Sequence, residues 1–203
     1  MPEFYQNLIT EKSFKILQDL KREFKFILIG DWAVFLYTKA LKSKDIDLII
    51  EYEELEKLKQ KFNLAKNERL KKYEIKQEEI DIDIYLPHYS SLGLPAEEIG
   101  NYAASREGFL TPKIEALLFL KQFVFSQRRN TPKGEKDKLD ILSLLKLEEI
   151  DWNFYGEFLR KYGLGNFKRE LAKLLNETGK APELELNEYS LSKLRKNILN
   201  KIL

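Results

Sequence analysis

The chain has 203 residues, 43% of them hydrophobic, which suffices to bury a core in one domain with a helical extension or in two small domains. It has no cysteine, which excludes a disulfide framework and any thiolate-bound metal, and its net charge of +2 gives no global field of the kind that marks nucleic-acid or anionic-membrane binders. No run approaches the ~20 apolar residues of a membrane span, and the opening Met1-Pro2-Glu3-Phe4 lacks the parts of a signal peptide, so a cytoplasmic protein is expected.

Phe4, Leu8, Ile9, Phe14, Ile16, Leu17 and Leu20 recur at helical spacing and predict an amphipathic helix over 3–22, with Thr10 as a candidate break. Residues 24–29 form a short β-rich apolar run ended by Gly30, a buried strand that turns sharply, and a helix is expected over 31–41. A second strand is expected over 45–50 and a helix over 52–62. Two further strands are expected over 70–75 and 80–86, the latter alternating Ile80, Ile82 and Ile84 with Asp81, Asp83 and Tyr85. Residues 87–112, with prolines, glycines and small residues, read as an irregular connection.

Beyond it every segment reads as helix. The first runs from Thr111 or Pro112 to 126, and others follow over 134–146, 151–162, 167–176 and 188–203, with Ser190 as an alternative start of the last. The expected class is α+β, with a mixed domain over 1–110 and a helical domain over 111–203. Abundant Lys and Glu with a single Met resemble a thermophile's usage and lead us to expect ion-pair networks.

Asp45 and Asp47 lie two apart on a predicted strand, so both side chains project from one face while Ile46 and Leu48 enter the core. Carboxylates held side by side repel, and a hard, oxygen-seeking divalent cation such as Mg²⁺ relieves the repulsion. Asp81 or Asp83, from a neighbouring strand, would add a third carboxylate. The turn at Gly30 leads into a helix whose unpaired N–H groups favour phosphate. By spacing alone, an Asp-x-Asp is also an ordinary solvated strand face; it is the ordered combination of turn, pair and later aspartate that points to a metal and phosphate site.

Lys121, Arg128, Arg129, Lys133 and Lys136 cluster around a turn between two helices, where they suit a triphosphate or an RNA backbone, or simply end solvated helices. Asp140, three residues after Asp137, is a candidate ion-pair partner of Arg129 or Lys136. His88 reads as a surface loop residue, and Trp32, Phe35 and Tyr37 as packing, with Trp32 near enough to the glycine turn to reach a nucleotide ring.

The segments Ile29-Gly30-Asp31-Trp32-Ala33-Val34, Ser43-Lys44-Asp45-Ile46-Asp47-Leu48 and Ile82-Asp83-Ile84-Tyr85 occur in this order. They are followed by Thr111-Pro112-Lys113 through Leu120-Lys121, an arginine at Arg128 or Arg129, and Lys136-Asp137-Lys138-Leu139-Asp140-Ile141-Leu142. Together they resemble the DNA polymerase β nucleotidyltransferase superfamily, and within it the AbiEii-like branch of abortive-infection and toxin–antitoxin systems.

The resemblance implies an N-terminal nucleotidyltransferase-like mixed sheet flanked by helices, followed by a C-terminal helical domain. It implies Mg²⁺-dependent transfer of a nucleotidyl group from an NTP such as ATP to a hydroxyl of RNA (tRNA-like) or of a protein, in a monomer or homodimer with a cognate antitoxin as partner. Asp45 and Asp47 would hold the metal. Asp83 would bind a second ion and help deprotonate the acceptor, with Asp81 its rival. Gly30, Asp31, Ser43, Lys121, Arg129, Lys133 and Lys136 would bind the nucleotide. Asp31 stands where most active members have Gly or Ser. A carboxylate there repels phosphates, implying an altered substrate or a catalytically degenerate nucleotide-, RNA- or partner-binding protein, unless Asp31 is the helix N-cap and points away.

Overall fold

The structure is a computed structural model in which residues 3–202 are described, with side chains from residue 7. Met1, Pro2, Leu203 and the side chain of Phe4 lie outside the described residues. The chain divides after Lys113 into two compact units.

In the first unit, α1 (Glu3–Glu23) runs unbroken through Thr10, whose hydroxyl donates to the Asn7 carbonyl at 3.0 Å and so satisfies itself without leaving the helix. Then come β1 (Ile27–Ile29), α2 (Gly30–Thr38), β2 (Ile46–Ile49), α3 (Tyr52–Lys61), β3 (Leu64–Asn67), β4 (Lys72–Gln77) and β5 (Ile80–Tyr85). The strands form one sheet in the order β1-β2-β5-β4-β3, with β2 and β5 parallel and the other neighbours antiparallel. One face is apolar by alternation: Ile46, Leu48, Ile82 and Ile84 are all buried. Trp32, Ala33, Val34 and Leu36 of α2 and Leu17 and Leu20 of α1 are buried too. The Trp32 indole donates to the Ser13 hydroxyl at 2.9 Å, tying α2 to α1.

Several boundaries differ from the sequence expectations. Helix α2 ends at Thr38 rather than 41, because Lys39 takes the left-handed conformation (φ 55°) and returns its N–H to the Phe35 carbonyl. Strand β3, polar and short, carries no period strong enough to announce it; pairing with β4 makes it a strand. The stretch read as irregular contains α4 (Ala96–Gly100) and a hairpin of β6 (Ala103–Arg106) and β7 (Phe109–Pro112). Its two-residue loop, Glu107 and Gly108, has positive φ at both positions, which suits a tight antiparallel return. Thr111 and Pro112 therefore end a strand instead of opening a helix, and Thr111 is fully buried.

The second unit is helical: α5 (Ile114–Arg128), α6 (Pro132–Leu145), α7 (Trp152–Lys161), α8 (Asn166–Glu177) and α9 (Glu188–Ile202), with a 3₁₀ turn at Pro182–Leu184. Helix α5 is buried along most of its length, so it is the unit's centre, and Phe119 packs on Phe158 and Phe167 at ring centroid distances of 5.7 and 5.1 Å. Thr131 caps α6 by accepting from the Gly134 N–H, with Pro132 next to it, and Asp151 caps α7 through the N–H groups of Asn153 and Phe154. Ser190 lies inside α9; its N–H donates to the Asn187 side chain at 2.9 Å. No helix among the described residues is long and apolar enough to cross a membrane.

Candidate active site

Cross-strand partners share a face of a sheet, so register decides which acidic groups meet. Asp47 on β2 pairs with Asp83 on β5, and Asp83 pairs in turn with Glu74 on β4. Three carboxylates thus lie in a row across three strands, on the face opposite the buried isoleucines. Asp45 lies in the bend one residue before β2, where its charge acts on Asp83. Asp81 shares the face but lies two residues further along, exposed and opposite Lys76, so Asp83 rather than Asp81 is the in-register neighbour of Asp47.

Gly30 brings the start of α2 against this row. Its φ is +67°, and a Cβ at that position would fall 2.8 Å from Asp47 Cγ and overlap Oδ2, so only a hydrogen fits between the turn and the carboxylate. The N-cap of α2 is Ile29, whose side chain makes no hydrogen bond to the first turn. Asp31 is consequently not the N-cap; it sits half-buried within the first turn, where a negative charge complements the helix dipole.

Ser43 is buried and braces Asp45. Its hydroxyl accepts from the Asp45 N–H at 3.2 Å and lies 3.1 Å from the Asp45 carbonyl and 3.5 Å from Asp31 Oδ2. The Asp45 backbone is therefore held on two sides, while among the described residues its carboxylate Oδ1 is buried with no hydrogen bond and has Lys44 Nζ at 3.8 Å. Buried carboxylate oxygens are ordinarily satisfied by a donor, a water or a cation, and this one suits any of the three.

Asp83 has a partner that the sequence analysis did not single out. Lys72 of β4 places Nζ 2.5 Å from Asp83 Oδ2 and 3.1 Å from Glu74 Oε1. Burial pushes the Asp83 carboxyl above the ordinary aspartate range; the Lys72 bond opposes this, and Glu74 and Asp45 reinforce it. Burial works against the Lys72 charge, but its bonds to Asp83 and Glu74 outweigh that and hold its ammonium above the usual lysine value. The only advance signal was the charged alternation Lys72, Glu74 on one face of a predicted strand.

In the second unit, Lys121 is almost wholly buried. Its Nζ lies 2.7 Å from Asp140 Oδ2, without hydrogen-bond alignment, and 3.5 Å from Asp137 Oδ1. Arg128 donates to both oxygens of Asp137, and Arg129 binds Glu170 at 2.9 Å and Glu177 at 3.4 Å. Lys133 is exposed and Lys136 half-buried on α6. His88 holds Glu97 in an exposed loop, with Nδ1 2.9 Å from Oε1. Trp32 is packed between Phe14 and Phe35.

No protein-family model matches the chain, and no curated protein matches it. Solved structures do. A candidate nucleotidyltransferase from H. pylori aligns over 100% of this chain and 97% of its own, at 17% identity and a TM-score of 0.54. JHP933 from Helicobacter pylori aligns over 100% of this chain and 94% of its own, at 18% identity and a TM-score of 0.51. The chain shares a nucleotidyltransferase-like fold with such proteins over its full described length.

Proposed function

We propose that this protein is a Mg²⁺-dependent nucleotidyltransferase that moves a nucleotidyl group from an NTP to a hydroxyl of RNA or of a protein side chain. The observation that carries the reading is the row formed by Asp47 and its in-register neighbour Asp83, with the orphaned Asp45 oxygen beside it and the Gly30 turn against it. The donors are all carboxylate oxygens, and Asp45 Oδ1 is buried without a hydrogen bond, so the residues fit a hard divalent cation on Asp45 and Asp47. Such an ion, when bound, supplies charge neutralisation for the phosphates.

The chain's own residues supply the rest. Gly30 keeps side-chain bulk away from the start of α2, where N–H groups favour phosphate. Asp83, held above the ordinary carboxylate range by burial, is suited to take the proton of an acceptor hydroxyl. The acceptor oxygen bonds the α-phosphorus as the bond to the bridging oxygen breaks and pyrophosphate leaves. Ser43 fixes the Asp45 backbone so that its carboxylate does not have to be ordered on binding.

Resemblance of the Gly30, Asp45-Ile46-Asp47 and Asp83 segments to the AbiEii-like branch supports a toxin-type role with a cognate antitoxin as partner. Asp31, a carboxylate in the first turn of α2, favours a second reading, in which the protein binds nucleotide or RNA without turning it over. Incubating the full chain with Mg²⁺, each labelled NTP, cellular RNA and cellular protein separates the two. Label transfer lost in both Asp45→Asn and Asp47→Asn is expected. Nucleotide binding without transfer would establish the second reading, and neither binding nor transfer would dismiss both.

A further inference from the structure

Lys72 does not stand alone on Asp83. It is the end of a chain of contacts that crosses the sheet from its edge: Asn67 on β3 donates its amide to Glu74 Oε1 at 2.9 Å, Glu74 accepts from Lys72 at 3.1 Å, and Lys72 reaches Asp83 Oδ2 at 2.5 Å. Asn67 is fixed in turn by accepting from the Leu70 N–H at 3.0 Å. Lys72 and Glu74 are two apart on β4, and so are on one face, while Asn67 is the register partner of Lys72. The Lys72 side chain is 11% exposed, so the ammonium is held in place rather than swinging in solvent.

A positive charge fixed on this carboxylate changes what the row can accept. Two-metal phosphoryl-transfer sites place their ions about 3.5–4 Å apart, so a second ion here would fall on the carboxylate next to Asp47 across the strands, Asp83. Here an ammonium already neutralises that carboxylate, and a second cation would have to displace it or share its oxygen against like-charge repulsion. Asp45 differs: among the described residues its Oδ1 is buried without a hydrogen bond, and the Lys44 ammonium 3.8 Å away belongs to an exposed side chain.

We propose that Lys72 is a built-in counter-cation for Asp83, and that this site takes one divalent ion, on Asp45 and Asp47, instead of two. The proposal rests on the nucleotidyltransferase reading and refines it. Lys72 is a positioning residue: it holds Asp83 Oδ2, so proton removal proceeds with an ammonium, not a second ion, beside the base.

The test is Mn²⁺ binding to the full chain, counted by electron paramagnetic resonance and calorimetry. Wild type is expected to bind one ion, Lys72→Met two, and Lys72→Arg one. The added ion of Lys72→Met should vanish in the double variant with Asp83→Asn. Two ions in wild type, or one in Lys72→Met, overturns the proposal. Since the wild-type count is itself decisive, a Lys72→Met protein that fails to fold does not remove the test. Asp45→Asn separates the levels. If it abolishes the wild-type ion while Lys72→Met still binds one, only the Lys72 assignment falls. If wild type binds no Mn²⁺, or Asp45→Asn leaves binding intact, the nucleotidyltransferase reading falls with it.

Discussion

Gly30 concentrates two constraints in one residue. Its backbone occupies the left-handed region, and its missing side chain is the space between the α2 turn and Asp47. A Gly30→Ala change pays left-handed strain of about 1–2 kcal/mol and also drives Cβ into the carboxylate. That strain is present with or without an ion, so it should lower folding stability by at least about 1 kcal/mol in urea unfolding, and displacement of the Asp47 carboxylate should separately weaken Mn²⁺ binding, as read by calorimetry. Glu54 shows a structural use of charge in the same unit. Its carboxylate is held below the usual glutamate range by the Lys57 ammonium, which donates at 2.7 Å, and by the Lys25 N–H at 3.2 Å, against the opposing effect of burial. A depressed folded-state value means stability present above the unfolded value of about 4.3 and lost as pH falls through the folded one. Glu54→Gln should therefore lower stability by about 1 kcal/mol at neutral pH, with the gap to wild type closing in acid, as urea unfolding at the two pH values would show.

At the scale of elements, the pairing of α5 with α6 depends on ions where apolar side chains would be usual. Lys121 is 2% exposed between Asp137 at 1% and Asp140 at 0%, and Arg128 closes the group from the side. Removing the lysine leaves buried carboxylates short of their cation. Lys121→Met should cost about 3–5 kcal/mol in chemical denaturation, far more than loss of a surface pair. Lys121 was expected from sequence as a nucleotide ligand; its composition on a helix near other basic residues looks the same whether it faces solvent or is enclosed. The hairpin of β6 and β7 was illegible for a related reason. Ala103–Arg106 has no two-residue alternation of apolar groups, and only pairing with Phe109–Pro112 makes it a strand.

For the whole molecule, ligand linkage gives the broadest check. A ligand that binds only the folded state at about a hundred times its Kd adds about 2.7 kcal/mol of stability. Saturating Mg²⁺ with the preferred NTP should raise the unfolding midpoint of wild type and leave that of Asp45→Asn unchanged, which a thermal melt would detect. The chain's charge balance, +2 overall, makes this a local effect of the acidic row and not of a general field.

Local periodicity was enough to read most helices, the apolar alternation of 80–84 and the turn at Gly30, because these depend on spacings of two to four residues along one strand or helix. Tertiary structure decided the rest. Whether Asp83 or Asp81 lies beside Asp47 is a matter of β2–β5 register, and the meeting of Lys72 with Asp83 requires β4 to pair with β5 in one particular alignment. Such alignments join residues far apart in the chain and are selected by burying one face of the sheet, so no short window of sequence contains them.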